Sequence, residues 1–227
     1  MIGKFFIGAA ALALGAAVPG ASVQGWINTV VETDGGHRMG DPDADVQLIE
    51  FVSYTCPHCA SFEKASEGIL KLGYIHEGRV GVEIKHLIRD KADLVAALTT
   101  RCGPPEKFFG NHTAMMIAQD QWFAKGRAAS PAQRARWGSG TRAQQYQAMA
   151  SDLGFYDLMA TRGYDATELD ACLADTAEAD ALRDRSARDA DAHGIHSTPS
   201  FVVNGTTLEG VHTWPSLNAR LYELAYD

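Results

Sequence analysis

The chain is short of several features that would assign it quickly. No cysteine precedes Cys56, so a lipid-modified N-terminal cysteine is not expected. Beyond Cys56 and Cys59 there is no second CxxC and no HxxxH, which leaves a structural zinc site without its remaining ligands. His58 lies between those cysteines, and His37, His76, His86, His112, His193, His196 and His212 are scattered; no metal site is expected. Positive charge is not in excess: 20 Lys and Arg stand against 28 Asp and Glu, a net charge of −8, which argues against a nucleic-acid partner. The apolar run Phe5 to Val18 falls short of the roughly 20 residues a helix needs to cross a bilayer. No internal repeat is visible.

What is present begins with an export signal. Met1-Ile2-Gly3-Lys4, the apolar run and Pro19-Gly20-Ala21-Ser22 follow the layout of a secretory signal peptide, so residues 1–23 are expected to be removed. About 205 residues would remain, enough for one well-buried domain or a domain with a large insertion. Four cysteines in an exported chain read as redox-active or paired thiols. They divide into a local pair, Cys56 and Cys59, and a distant pair, Cys102 and Cys172.

Asp45 to Tyr54 (DVQLIEFVSY) is a short apolar run after the turn-rich Gly40-Asp41-Pro42-Asp43, the pattern of a buried strand. Pro57 to Leu72 places Phe62, Ala65, Ile69 and Leu72 at helical spacing, and Pro57 suits a first helical turn. Val80, Val82 and Ile84 alternate in a second strand over 79–88. From Lys91 to about Asp191 the pattern is helical, with Ser130 and Thr141 as N-caps and Gly154 and Gly163 as stops. Strand character returns at Ser200–Val203, turns at Asn204-Gly205 and continues over Thr206–Val211, before a closing helix from about Pro215 to Ala225. This order, β-α-β, helical block, β-β-α, gives an α/β class with an inserted all-α domain: 24–90 and 192–227 form the sheet domain and 91–191 the insertion.

The CxxC therefore sits where a strand hands over to a helix. In disulfide exchange the thiolate attacks or leaves, and the free N–H groups at a helix start favour negative charge on Cys56. His58 can add a donor or a positive charge. Cys59, one turn on, points inward as the resolving partner.

Glu50-Phe51-Val52-Ser53-Tyr54-Thr55-Cys56-Pro57-His58-Cys59 resembles the active-site strand and helix of DsbA-type thiol–disulfide oxidoreductases. The likeness extends to Gly40–Val46, to the helical block and to Ser197-Thr198-Pro199-Ser200-Phe201-Val202-Val203-Asn204-Gly205. It implies a thioredoxin-like mixed sheet and the catalytic set Cys56, Pro57, His58 and Cys59, with no cofactor beyond the Cys56–Cys59 disulfide. It also implies a cis peptide at Thr198-Pro199, where an extended client would pair as an added strand. Glu50, an acid in an apolar strand, falls where that family buries a carboxylate and is expected to exchange a proton with Cys59.

Some relatives carry a disulfide in the helical domain, so Cys102 and Cys172 are expected to bond; the alternatives are two buried thiols or a second redox pair. Reduced exported proteins are the implied clients and a quinone-linked membrane protein the implied reoxidant, with the chain acting as a soluble periplasmic monomer. Thr198 departs from the pattern: many strongly oxidising members carry valine there, and several isomerase-type relatives carry threonine. An isomerase or reductase using the same centre is the nearest rival reading, and a client- or metal-binding module without turnover the next. Lys125 to Arg142, five basic residues with no acidic one, reads as a solvated helical connection rather than a membrane or partner contact.

Overall fold

The computed structural model describes residues 25–226, and the expected leader lies outside the described residues. A short turn of 3-10 helix, Trp26–Asn28, leads into a hairpin, β1 (Val30–Thr33) and β2 (Gly36–Met39), closed by Asp34-Gly35 with Gly35 at φ +90. β3 (Val46–Val52) runs to the CxxC, α1 (Pro57–Ile69) follows and widens into a π-helical stretch at Leu70–Ile75, and β4 (Val80–His86) returns.

Eight helices then separate β4 from the last strands. They are α2 (Lys91–Thr100), α3 (Phe108–Ile117), α4 (Gln119–Ala128), α5 (Pro131–Arg136), α6 (Arg142–Leu153), α7 (Phe155–Ala160), α8 (Ala166–Ala174) and α9 (Thr176–Ala192). β5 (Ser200–Val203), β6 (Thr206–Thr207) and α10 (Trp214–Tyr226) complete the chain.

The helix starts in the insertion have local causes. Ser130 with Gln133, Thr141 with Gln144 and Asp165 with Glu168 form reciprocal capping boxes, and Asp90 caps α2 through the Asp93 amide at 2.9 Å. Gly154, at φ +84, ends α6 in the left-handed conformation that glycine adopts without a Cβ clash.

The six strands order as β1-β2-β4-β3-β5-β6. β3 pairs parallel to β4 and antiparallel to β5, so the strand that delivers the CxxC is paired on both edges. Its alternation sorts the core. Val46, Leu48 and Val52 point to the face covered by α1 and join the main cluster, while Phe51 packs on the other face with Ala190, Ile195 and Val202. By the same period, Glu50 lies on the α1 face.

Two expectations need correction. The buried face of α1 is Cys59, Ala60, Phe62, Glu63 and Ser66; Ile69 and Leu72 are exposed. Glu63 can be buried because His112 and Thr113 face it. The second strand of the last hairpin stops at Thr207. Leu208 N–H still reaches Phe201 O at 2.8 Å, and then Gly210, at φ +72, turns the chain away. α9 is pinned to β4 through Asp189, which is buried and accepts from Lys85 Nζ at 2.6 Å.

Candidate active site

Cys56 is the N-cap of α1 and Pro57 its first residue, where the missing N–H removes no helical bond. Both cysteines carry free thiols and are buried, Cys56 at 3% exposure and Cys59 at 1%. The Thr198–Pro199 peptide is cis, and the Cys56 thiol donates to the Thr198 carbonyl at 3.2 Å. The Thr198 hydroxyl is buried beside the two sulfurs without reaching hydrogen-bond geometry to either. His212 Nδ1 donates to Pro199 O at 2.8 Å, which fixes that tautomer and braces the loop from the start of α10.

The two thiols are driven in opposite directions. Cys56 is lowered from 9.0 to about 4, first by the Cys59 thiol, then by Thr198 and by the backbone N–H groups of Cys59 and His58, all against the opposing effect of burial. Cys59 is pushed far up, chiefly by burial and then by its role as donor to Cys56. His58 acts here through its amide, and its side chain is exposed. Cys56 is thus the more readily ionised sulfur, and Cys59 the thiol that keeps its proton.

Glu50 is 2% exposed, and burial, with the charge of Glu63 as a second cause, raises its carboxyl well above the ordinary range. Glu63 ends below that range: burial alone would raise it, but the facing His112 ring, 3.7 Å away, and the hydrogen bond from Thr113 outweigh burial. The structure thus brings Cys56, Pro57, His58, Cys59, Thr198 and Pro199 together, with Glu50 on the strand face beneath α1.

Three residues around the redox loop escaped sequence reasoning. Asp93, fully buried in the first turn of α2, accepts from Tyr54 N at 2.7 Å, Ser53 Oγ at 2.6 Å and Arg89 N at 3.1 Å. Arg89 in turn donates to Ser53 Oγ at 3.0 Å and Thr55 O at 2.5 Å. Gln119, at the start of α4, donates to Tyr54 O at 2.7 Å and Cys56 O at 3.0 Å. The backbone immediately before Cys56 is therefore held by the insertion. The one available signal was an acid and an amide near helix starts, which ordinary capping also explains.

Cys102 and Cys172 lie apart from this centre and are joined by a disulfide between the end of α2 and α8, packed with Met159, Tyr164 and Leu169. The basic segment is answered mainly by local partners: Arg136 pairs with Asp152, Arg142 with Asp180, and Arg134 donates to the Arg127 and Ala129 carbonyls. Among the described residues no group of three or more His, Cys, Asp or Glu side chains is placed to hold a metal ion, and no helix is long and apolar enough to cross a membrane.

A CxxC at a helix start, a cis-proline against its first sulfur and a helical insertion between β4 and β5 make up a thioredoxin-like fold with an inserted helical domain, the layout of DsbA-type structures. Residues 32–222 match the family profile described as thioredoxin, and the chain belongs to that family. Among solved structures, a protein-disulfide isomerase of Novosphingobium aromaticivorans is 42% identical, over 86% of this chain and 100% of its own, with a TM-score of 0.80. The Wolbachia pipientis alpha-DsbA1 superposes with a TM-score of 0.66 over 88% of this chain and 96% of its own, and at 20% identity that shows the fold alone. A Rickettsia typhi chain provisionally named a protein-disulfide oxidoreductase is 27% identical over 172 residues, which is 75% of this chain and 55% of that one. The chain spans about half the length of the curated relatives it matches.

Proposed function

We propose that the protein oxidises exported client proteins in the periplasm by donating the Cys56–Cys59 disulfide. The observation that carries this reading is the opposed poise of the two sulfurs, Cys56 at about 4 and Cys59 far above an ordinary thiol. A client thiolate attacks Cys56 and Cys59 departs, taking a proton from Glu50. The client's second thiolate then attacks the client sulfur bound to Cys56, and Cys56 leaves as a thiolate. A low leaving-group pKa speeds that last step, and stabilising the reduced form makes the disulfide more oxidising. The client lies extended beside Thr198 and pairs with its backbone, as the cis peptide permits.

The two electrons given up by the client dithiol are taken up by the Cys56–Cys59 disulfide, so the chemistry calls for no further cofactor. The protein works as a monomer, and a quinone-linked membrane protein returns it to the disulfide.

A second reading is favoured by one residue and one relative. Thr198 matches the threonine that the resemblance gives to several isomerase-type relatives, and the 42% identical Novosphingobium protein is named a protein-disulfide isomerase. Oxidised protein mixed with a reduced, unfolded client separates the readings. Rapid client oxidation, with a glutathione equilibrium favouring the reduced protein, supports the oxidase. Reshuffling of a scrambled client without net oxidation supports the isomerase, and neither activity leaves a binding module.

A further inference from the structure

A pocket of ≈ 300 Å³ is bounded by α4, α5 and α6 and reaches Thr55, one residue before the reactive sulfur; neither Thr198 nor Pro199 lines it. Trp122 and Leu153 are buried and make its floor, and the half-buried Phe123 and Trp137 make its sides. Both indole N–H groups are spent elsewhere, Trp122 Nε1 on Met115 O at 3.2 Å and Trp137 Nε1 on Asp152 Oδ2 at 2.8 Å, so the rings offer the pocket carbon. Lys91 Nζ, from α2, fastens Trp137 by donating to its carbonyl at 2.8 Å. The result is a held aromatic slot, of the size at which ligand sites begin, about 300 Å³.

Charge around the slot is sorted. Of the five basic residues from Lys125 to Arg142, three face a carboxylate: Lys125 Nζ lies 3.9 Å from Asp157 Oδ2, Arg136 pairs with Asp152 and Arg142 with Asp180. Arg127 and Arg134 have no carboxylate partner among the described residues, and these are the two that line the slot. Arg134 donates to the Ala129 and Arg127 carbonyls at 3.1 and 3.0 Å, which holds it in place without neutralising it. No acidic residue lines the slot. On a chain of net charge −8 this is a positive rim over an aromatic floor, complementary to an apolar side chain with an acidic neighbour.

We propose that this slot selects among clients: it takes an aromatic or large aliphatic side chain flanked by Asp or Glu, about three residues from the client cysteine that attacks Cys56. The spacing follows from Thr55, which joins the slot to Cys56 in the chain. A client strand advancing about 3.3 Å per residue crosses the breadth of a helix, about 10 Å, in three residues. Backbone pairing at Thr198 accepts any extended chain, because main-chain hydrogen bonds carry no sequence, whereas a side-chain pocket adds preference. Arg127 sets the preference for charge and Trp137 the preference for a ring. The inference rests on the reading of Cys56–Cys59 as the centre that exchanges disulfides with client chains, and it holds for oxidation and reshuffling alike.

The probes are synthetic Gly/Ser peptides with two cysteines, which the oxidised protein joins as it takes up their two electrons. Three residues outside the cysteines, on one side or the other, each peptide carries Phe-Glu, Phe-Lys, Ser-Glu or Ser-Lys. Peptide in excess is mixed with oxidised protein, the reaction is quenched with acid, and the Cys56 and Cys59 thiols formed are counted by alkylation; each rate is divided by that of glutathione with the same protein. In one placement Phe-Glu is expected to react fastest, about tenfold ahead of Ser-Glu and about threefold ahead of Phe-Lys. Arg127→Glu should reverse the order of Phe-Glu and Phe-Lys, which a merely structural role would not do, and Trp137→Ala should remove the advantage of Phe over Ser. Arg127 is exposed, so its variant keeps the test decisive even where Trp137→Ala fails to fold. Equal rates for all peptides, or a Glu-over-Lys order that survives Arg127→Glu, overturn the slot and leave the exchange reading standing. If neither peptides nor glutathione reduce the protein disulfide, both fall.

Discussion

The two cysteine pairs of this chain are built from the same atoms for opposite ends. Cys56 and Cys59 share one helical turn, and the surroundings of Cys56 stabilise its opened, ionised state: the Cys59 thiol, Thr198 and the helix N–H groups of Cys59 and His58. Cys102 and Cys172 are 70 positions apart and meet in an apolar cluster between two helices. Nothing among the described residues places a cis-proline or a helix start against that second bond. A disulfide is thus made reactive by what surrounds its sulfurs once it has opened.

The first way to break the comparison is to remove the attacking sulfur. Cys56→Ser should abolish client oxidation while the fold persists by circular dichroism; retained turnover would mean that the Cys102–Cys172 pair is itself redox-active. Next comes the pH dependence of stability. Because the Cys56 pKa falls on folding from 9.0 to about 4, its thiolate stabilises the reduced fold fully above the unfolded value, and that gain is lost as pH falls through about 4. Below pH 8 Cys59 is a thiol in both states. Urea unfolding of reduced and oxidised protein between pH 4 and 8 should therefore show the reduced form gaining on the oxidised by up to about 1.4 kcal/mol per pH unit.

The Cys102→Ala, Cys172→Ala double variant should lose about 3–4 kcal/mol of stability, the loop-entropy expectation for so long a loop, and keep its glutathione equilibrium unchanged. A shifted equilibrium would show that the distant bond tunes the near one. The smallest effect is expected at the contact between the two regions. Asp93→Ala leaves the Tyr54 amide and the Ser53 hydroxyl without their acceptor and should cost about 2 kcal/mol by denaturant melting.

Local chemistry made much of this legible in the sequence. A strand, a CxxC and a helix with proline in its first turn are contiguous, and Thr198-Pro199 opens a strand closed by Asn204-Gly205. The β1–β2 hairpin was not legible, although Asp34-Gly35 is a turn signal. Gly36, His37 and Arg38 have little strand preference, and β2 is held by pairing with β4 and by His37 stacked on Phe108 at 3.9 Å. The burial of Glu63 was equally hidden, because its partners His112 and Thr113 arrive from a helix some 50 residues on. The Asp93 and Gln119 clamps depend on how α2 and α4 pack over the loop, which no periodicity encodes.

That clamp makes one backbone proton a reporter. The Tyr54 amide, two residues before the reactive sulfur, bonds to a carboxylate that belongs to α2. Its hydrogen exchange can therefore be no slower than the opening of α2 from the sheet permits. Any condition that loosens the helical insertion, whether heat, denaturant or loss of its internal disulfide, should register at this amide before the sheet itself unfolds. The same loosening would free the loop that aims Cys56, so the folding stability of one half of the molecule bounds the redox precision of the other.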